Sequence, residues 1–336
     1  MPNIKMWGNA LRVIPRIEKA EWDRLDVFAR WLIATRAAVF VMTALAAAIG
    51  GLLAYRNGSF SWSLLILSLL GIVLAHATNN LLNDLVDYNK GIDKNNYYRS
   101  QYGPQPLEHK LLSKTQFMSY LIVTGLLATA IGVYLTIVTG TGTLLFFGAG
   151  LFFLLFYTWP LKYYGMGEPS VILVWGPLMI GGTYFVISGG NWDNWIIPLS
   201  LIYALGPTTV LFGKHTDKLK EDKAKGVRTL PVVIGEKAAR YSTIAMWILQ
   251  YAFVVLLVIT KQFTPAVLLV FLAVPKLIPV IKIFMQKRPE TKPEGKAGEG
   301  WPLYLVSNAF IYNRAFGLWF LLGLILDVVL VKTGVL

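Results

Sequence analysis

The chain has 336 residues, 55% hydrophobic and only 15% charged, with a mean hydropathy of +0.56. Soluble chains carry about 25% charged residues, so this composition excludes an ordinary soluble domain. The formal charge of +13 is placed to suit lipid headgroups rather than nucleic acid, as shown below, and with no cysteine the chain has no disulfide or thiol chemistry.

Residues 1–30 are charged and lack a continuous apolar core, so no cleavable signal peptide is expected. Trp22, Leu25, Phe28 and Leu32 approximate one apolar stripe, with Asp23, Arg24 and Asp26 off it. This pattern predicts an interfacial segment, broken in two at Pro15. Beyond it, recurring apolar stretches predict a single transmembrane domain over 31–333. Its fold class is all-α, a polytopic bundle of nine transmembrane helices. The expected spans are 31–55, 62–87, 116–138, 143–158, 168–189, 194–213, 241–260, 264–285 and 312–333, the fourth being the shortest. Residues 288–302, rich in Pro, Gly, Lys and Glu, read as a surface linker.

Nine spans place 1–30, 88–115, 159–167, 214–240 and 286–311 on one side, and these segments hold 24 Lys and Arg. The opposite segments hold 3, namely Arg56, Lys261 and Lys332. By the positive-inside rule the N-terminus is expected in the cytoplasm, with the chain in a prokaryotic plasma membrane. The basic charge then faces membrane lipids, and no nucleic acid partner is expected.

One polar cluster stands out at the end of the second span, in Asn80-Leu-Leu-Asn83-Asp84-Leu-Val-Asp87-Tyr-Asn-Lys-Gly91-Ile-Asp93. A carboxylate at membrane depth costs roughly 2.5–3.5 kcal/mol on insertion scales, so a group of them needs a partner. Asn80, Asp84 and Asp87 fall at i, i+4 and i+7 and share one helical face. Hard oxygen ligands on one face suit Mg²⁺, which keeps waters and substrate phosphates in its shell. His76, one turn earlier, reads as a packed and hydrogen-bonded histidine. A second acidic stretch follows the sixth span, where His215, Asp217, Glu221 and Asp222 are interleaved with lysines.

These residues resemble the UbiA superfamily of intramembrane prenyltransferases, most closely the branch that prenylates 1,4-dihydroxy-2-naphthoate. The run from Asn80 to Asp93 is similar to that family's first aspartate-rich motif. Phe156-Tyr157-Thr158-Trp159-Pro160-Leu161-Lys162, followed by Gly167-Glu168, resembles the branch's loop after helix four. Asp222-x-x-x-Gly226-x-Arg228-Thr229-Leu230, then Gly235, resembles the tail of the second motif, and Arg36 resembles an arginine near the start of helix one. One position departs from the pattern: counting back four from Asp222 gives Lys218, with Asp217 one place off. Either Asp217 and Glu221, at i and i+4, share a face, or the backbone bends near His215 and Asp217 takes the usual place.

The resemblance implies Mg²⁺-dependent transfer of an isoprenyl group from an allylic polyprenyl diphosphate to an aromatic acceptor in quinone biosynthesis. Metal would be held by Asp84, Asp87 and Asp93 on one side and by Asp217, Glu221 and Asp222 on the other. Asp84, Asp87, Asp217 and Asp222 would be catalytic in this sense. Asn80, Asn83, Arg36, Lys162, Arg228 and His215 would bind substrate, and Tyr157 would shield the developing cation. The site would open on the cytoplasmic side, with both clusters serving one diphosphate. Other acceptors (4-hydroxybenzoate, homogentisate, haem, chlorophyllide, a glycerol phosphate) fit the same donor chemistry. A membrane transporter is the alternative from another class, but it would need polar groups at the bilayer midplane.

Overall fold

The structure, a computed structural model, describes residues 2–94, 98, 101, 103–295 and 298–334. The described residues are helical with no strand, and carry one isolated parallel bridge, between Tyr164 and Arg228. In chain order the α-helices are α1 (Ile4–Arg12), α2 (Lys19–Trp22), α3 (Val27–Ala34), α4 (Phe40–Arg56), α5 (Trp62–Asn89), α6 (Lys114–Thr139) and α7 (Gly142–Phe156). There follow α8 (Gly167–Leu173), α9 (Gly182–Ile187), α10 (Ile196–Asp217), α11 (Leu219–Ala224), α12 (Leu230–Ile234), α13 (Glu236–Ile259), α14 (Val274–Met285) and α15 (Tyr304–Thr333). Among the described residues eight helices are long and apolar enough to cross a membrane, and the 15-residue α7 is a ninth, shorter apolar helix. The short fourth span expected from the sequence is α7.

Local chemistry explains the boundaries. Ser113 and Gln116 form a reciprocal capping box at the start of α6, and Gly140, at φ 94°, ends it. Pro177 has no N–H to give its helix, and around it Val174–Gly181 winds as a π-helix that joins α8 to α9. The expected boundaries move most at the start of the first span and of the last. The first span is not continuous from 31: α3 ends at Ala34, Arg36 is left-handed at φ 58°, and the spanning helix begins at Ala37. The last span starts at Tyr304 rather than 312. Pro302 followed by an apolar run was the sequence signal for that earlier start.

The chain divides into two compact units, residues 1–47 with 63–159, and residues 48–62 with 160–336. In the first, the N-terminal stripe is packed rather than free. Trp22, Leu25, Ala29 and Leu32 are buried in one cluster with Ala77, Leu81, Leu107, Leu111 and Phe117. Phe28 departs from the expected stripe: it is 47% exposed and sits between Trp7, edge-on, and Trp31, stacked. Asp26 ties the segment together, accepting the N–H groups of Asn3 and Ala29 and the indole N–H of Trp7. The bond from Ala29, foremost, holds its carboxyl below the usual aspartate range.

In the second unit α10 packs against α13 and α15, with Trp247 edge-on to Phe284 and Tyr312. Two glycines mark close approaches. A Cβ on Gly50 would lie 2.7 Å from the Ile180 carbonyl oxygen, and one on Gly213 would lie 2.9 Å from Val306. The ends are stapled by buried polar groups: Asp327 accepts from Arg56 Nε at 2.6 Å and from Thr264 N at 2.7 Å. A second staple, partly exposed, joins Asn57, Tyr184 and Asp193.

Candidate active site

In the first unit the polar cluster grows from the last turns of α5. Asp84 and Asp87 are 4% and 7% exposed, so this is no solvated helix end. Arg36 reaches α5 from the break before α4. Its guanidinium lies 3.3 Å from Asp84 Oδ1 and donates to the Asn80 carbonyl oxygen at 3.1 Å and Asn80 Oδ1 at 3.3 Å. Asn80 Nδ2 in turn donates to the Thr35 carbonyl oxygen at 2.8 Å, which fixes the backbone at the break. A left-handed arginine costs about 1–2 kcal/mol. The chain accepts that cost at a residue whose guanidinium meets the aspartate cluster. Asn83 Nδ2 donates to Asp87 Oδ2 at 3.2 Å, and Thr158 Oγ1 donates to Asn83 Oδ1 at 3.4 Å. That second bond brings the turn after α7, where half-buried Tyr157 is the C-cap, beside the cluster. Asp93 is buried after the turn at Gly91. His76 is packed, its Nδ1 2.7 Å from Thr43 Oγ1, as the sequence suggested.

In the second unit the acidic stretch is not one patch. Asp217 closes α10, and its oxygens accept from Leu305 N and Val306 N, both at 3.0 Å, and from Arg288 Nε at 2.9 Å. It caps the first turn of α15. The chain then bends at Lys218 and restarts as α11. Asp222 is 2% exposed, with Oδ1 2.9 Å from Lys218 Nζ, while its buried Oδ2 has no hydrogen-bond partner among the described residues. The residue that breaks the expected four-residue spacing is thus the ion-pair partner of Asp222. Glu221 is half-buried and Arg228 exposed. Lys162 is 8% exposed in the short 3₁₀ turn Leu161–Tyr163.

His215 is buried and its Nδ1 lies 2.6 Å from Glu168 Oε1. Glu168 was visible only as the end of the loop pattern; nothing local to it says that it pairs with a residue 47 positions away.

Among the described residues no three Asp, Glu, His or Cys side chains converge into a self-sufficient metal cage. Each cluster offers one or two carboxylate groups flanked by amide or cationic groups. That donor set fits Mg²⁺, which takes one or two carboxylates and fills its shell with water and phosphate oxygens. The orphaned oxygen of Asp222 is a buried acceptor of the kind such a shell would use.

Three comparisons bear on identity. The zebrafish (Danio rerio) UbiA prenyltransferase domain-containing protein 1 is 25% identical over 291 residues, 82% of this chain and 83% of that protein. The Bacillus subtilis 1,4-dihydroxy-2-naphthoate octaprenyltransferase is 26% identical over 211 residues, 62% of this chain and 66% of that one. In structure, a UbiA homologue from Archaeoglobus fulgidus bound to GPP and Mg²⁺ superposes with a TM-score of 0.55 at 15% identity, covering 88% of this chain and 99% of that one. The model of the UbiA prenyltransferase family matches residues 41–305, so this helical membrane protein belongs to that family.

Proposed function

We propose that this chain transfers an isoprenyl group from an allylic polyprenyl diphosphate to an aromatic acceptor, with Mg²⁺ as cofactor. The observation that carries the reading is the set Arg36, Asn80, Asp84 and Asp87, a mixed anion–cation cluster with both carboxylates buried at the end of a spanning helix. Family membership favours the enzyme over a transporter. The donor class is supported by the Archaeoglobus fulgidus homologue, whose structure holds GPP and Mg²⁺. The Bacillus subtilis relative supports 1,4-dihydroxy-2-naphthoate as the acceptor. The excess of 24 over 3 basic residues supports a cytoplasmic N-terminus and site.

Prenyl transfer begins with heterolysis of the allylic C–O bond, which places negative charge on the leaving diphosphate. Bound Mg²⁺ supplies charge stabilisation for that group. Asp84, Asp87 and Asp93 in one cluster, and Asp222 with Glu221 in the other, are the residues that would hold it. Asp217 is assigned to capping α15 instead, because main-chain N–H groups and Arg288 occupy its oxygens. Lys162, Arg228 and Arg36 neutralise phosphate oxygens. Asn80 and Asn83 orient the carboxylates, and Tyr157 presents an aromatic face to the allylic cation. Apolar helices keep water from quenching that cation before the acceptor carbon bonds to it and loses its proton.

The test is direct. Purified protein is incubated with geranylgeranyl diphosphate, Mg²⁺ and each acceptor in turn, and products are identified by mass spectrometry. Prenylated naphthoate that disappears on chelation and returns with Mg²⁺ is expected. No product with any acceptor would overturn the reading. A different preferred acceptor would correct only its last element.

A further inference from the structure

Glu168 has no role in the scheme above, yet it is a carboxylate only 1% exposed. Its two oxygens serve two separate segments. Oε1 accepts from His215 Nδ1 at 2.6 Å, and Oε2 accepts the main-chain N–H of Leu230 at 3.2 Å. A carboxylate only accepts, so the Nδ1 nitrogen of His215 carries the hydrogen. His215 and Leu230 immediately flank residues 216–229, the stretch that carries Lys218, Glu221, Asp222 and Arg228. Both feet of that loop therefore stand on one side chain.

The loop is short-circuited internally as well. Val227 N donates to the Asp222 carbonyl oxygen at 2.8 Å, across a turn in which Gly226 takes φ 72°. Arg228 is bridged through its backbone to Tyr164, four residues before Glu168. Displacement of Leu230 would thus reach Asp222 through one tight, hydrogen-bonded turn. A buried carboxylate is costly compared with an apolar side chain of similar size. Holding both ends of an active-site loop is a role that an apolar residue cannot fill.

We propose that Glu168 is a positioning residue for prenyl transfer: it staples the two ends of 216–229 and so sets where Asp222 presents its carboxylate to the Mg²⁺–diphosphate group. This rests on the prenyl diphosphate reading of the site. Residues that orient metal ligands typically change metal affinity or activity roughly 10–100-fold when altered.

The probe is inorganic pyrophosphate with Mg²⁺, titrated calorimetrically into the purified full-length protein, with the melting temperature of the unliganded protein measured alongside. Glu168→Gln supplies one acceptor oxygen where the carboxylate supplies two. It should weaken pyrophosphate binding about tenfold or more, while the unliganded melting temperature changes by only a few degrees. His215→Asn should weaken binding similarly, and the double variant should be no worse than the poorer single one, because both changes release the same two-footed staple. Unchanged affinity in Glu168→Gln, or additive losses in the double variant, would overturn the proposal. If Glu168→Gln does not fold, the affinity of His215→Asn decides alone: weakened binding is expected, and unchanged affinity overturns the proposal. Failure of both to fold would reduce Glu168 to a folding element and reject the proposal too. A wild-type protein that does not bind Mg²⁺–pyrophosphate would instead sink the reading of the site itself.

Discussion

Asp217→Ala separates a structural aspartate from a metal-binding one. In the native protein this carboxylate accepts two main-chain N–H groups of α15 and the Arg288 guanidinium, all within 3.0 Å, and its side chain is 0% exposed. Alanine removes three bonds at once. It leaves Arg288, 14% exposed, without its carboxylate, and it strips the cap from the longest helix in the described chain. Loss of a helix cap costs about 0.5–2 kcal/mol. Breaking a buried ion pair from one side costs about 3–5 kcal/mol. The two overlap in the same side chain, so the expected loss is about 3–5 kcal/mol rather than their sum. In a thermal melt followed by tryptophan fluorescence in detergent, Asp217→Ala should unfold many degrees earlier than the wild type. Asp217→Asn, which keeps one acceptor oxygen, should fall between them. Whatever fraction of Asp217→Asn remains folded should bind Mg²⁺–pyrophosphate with near wild-type affinity. A variant that melts like the wild type but has lost pyrophosphate binding would refute the capping role and return Asp217 to the metal.

Asp84→Asn and Asp87→Asn should each lower prenyl transfer at least ~100-fold, the order seen when a group stabilising transition-state charge is removed. Size-exclusion profiles should stay monodisperse, and retained turnover in both would reject their role. Arg36→Gly relieves the left-handed backbone, worth about 1 kcal/mol, but deletes the guanidinium beside Asp84. It should keep the fold while raising the KM for the prenyl diphosphate, and an unchanged KM would argue against phosphate contact. Asp26 has its pKa lowered in the fold, so its stabilisation is present above the unfolded aspartate value and is lost as pH falls through the folded one. Residues 3–13 should therefore become susceptible to an acid-active protease as pH drops below about 4; at neutral pH Asp26→Ala should be cleaved there by a protease active at that pH while the wild type is protected, and equal protection in both proteins would oppose the assignment. Because the chain has no cysteine, single cysteines report topology cleanly: Lys223→Cys should be labelled only from the cytoplasmic side and Thr141→Cys only from the other, and the reverse pattern would invert the orientation.

Much of this protein was legible in its sequence because the signals are local. Apolar runs set by bilayer thickness marked the spans, α7 included, and helical spacing put Asn80, Asp84 and Asp87 on one face. The misplaced boundaries have causes that lie far away along the chain. The break at Arg36 depends on Asn80 bonding the Thr35 carbonyl from another helix, and the early start of α15 depends on a cap supplied by Asp217. Phe28 left its stripe because its ring packs edge-on to Trp7 and stacks on Trp31 rather than entering the buried cluster.

The second acidic stretch shows the division most clearly. By itself the order of residues determined that carboxylates and lysines lie at the C-terminal end of α10, since hydropathy and charge are properties of neighbours along the chain. Which carboxylate turns to α15, which pairs with Lys218, and that Glu168 holds His215 were decided only by tertiary structure. A buried charge takes the partner that packing brings within about 3 Å, and no periodicity encodes a contact between helices.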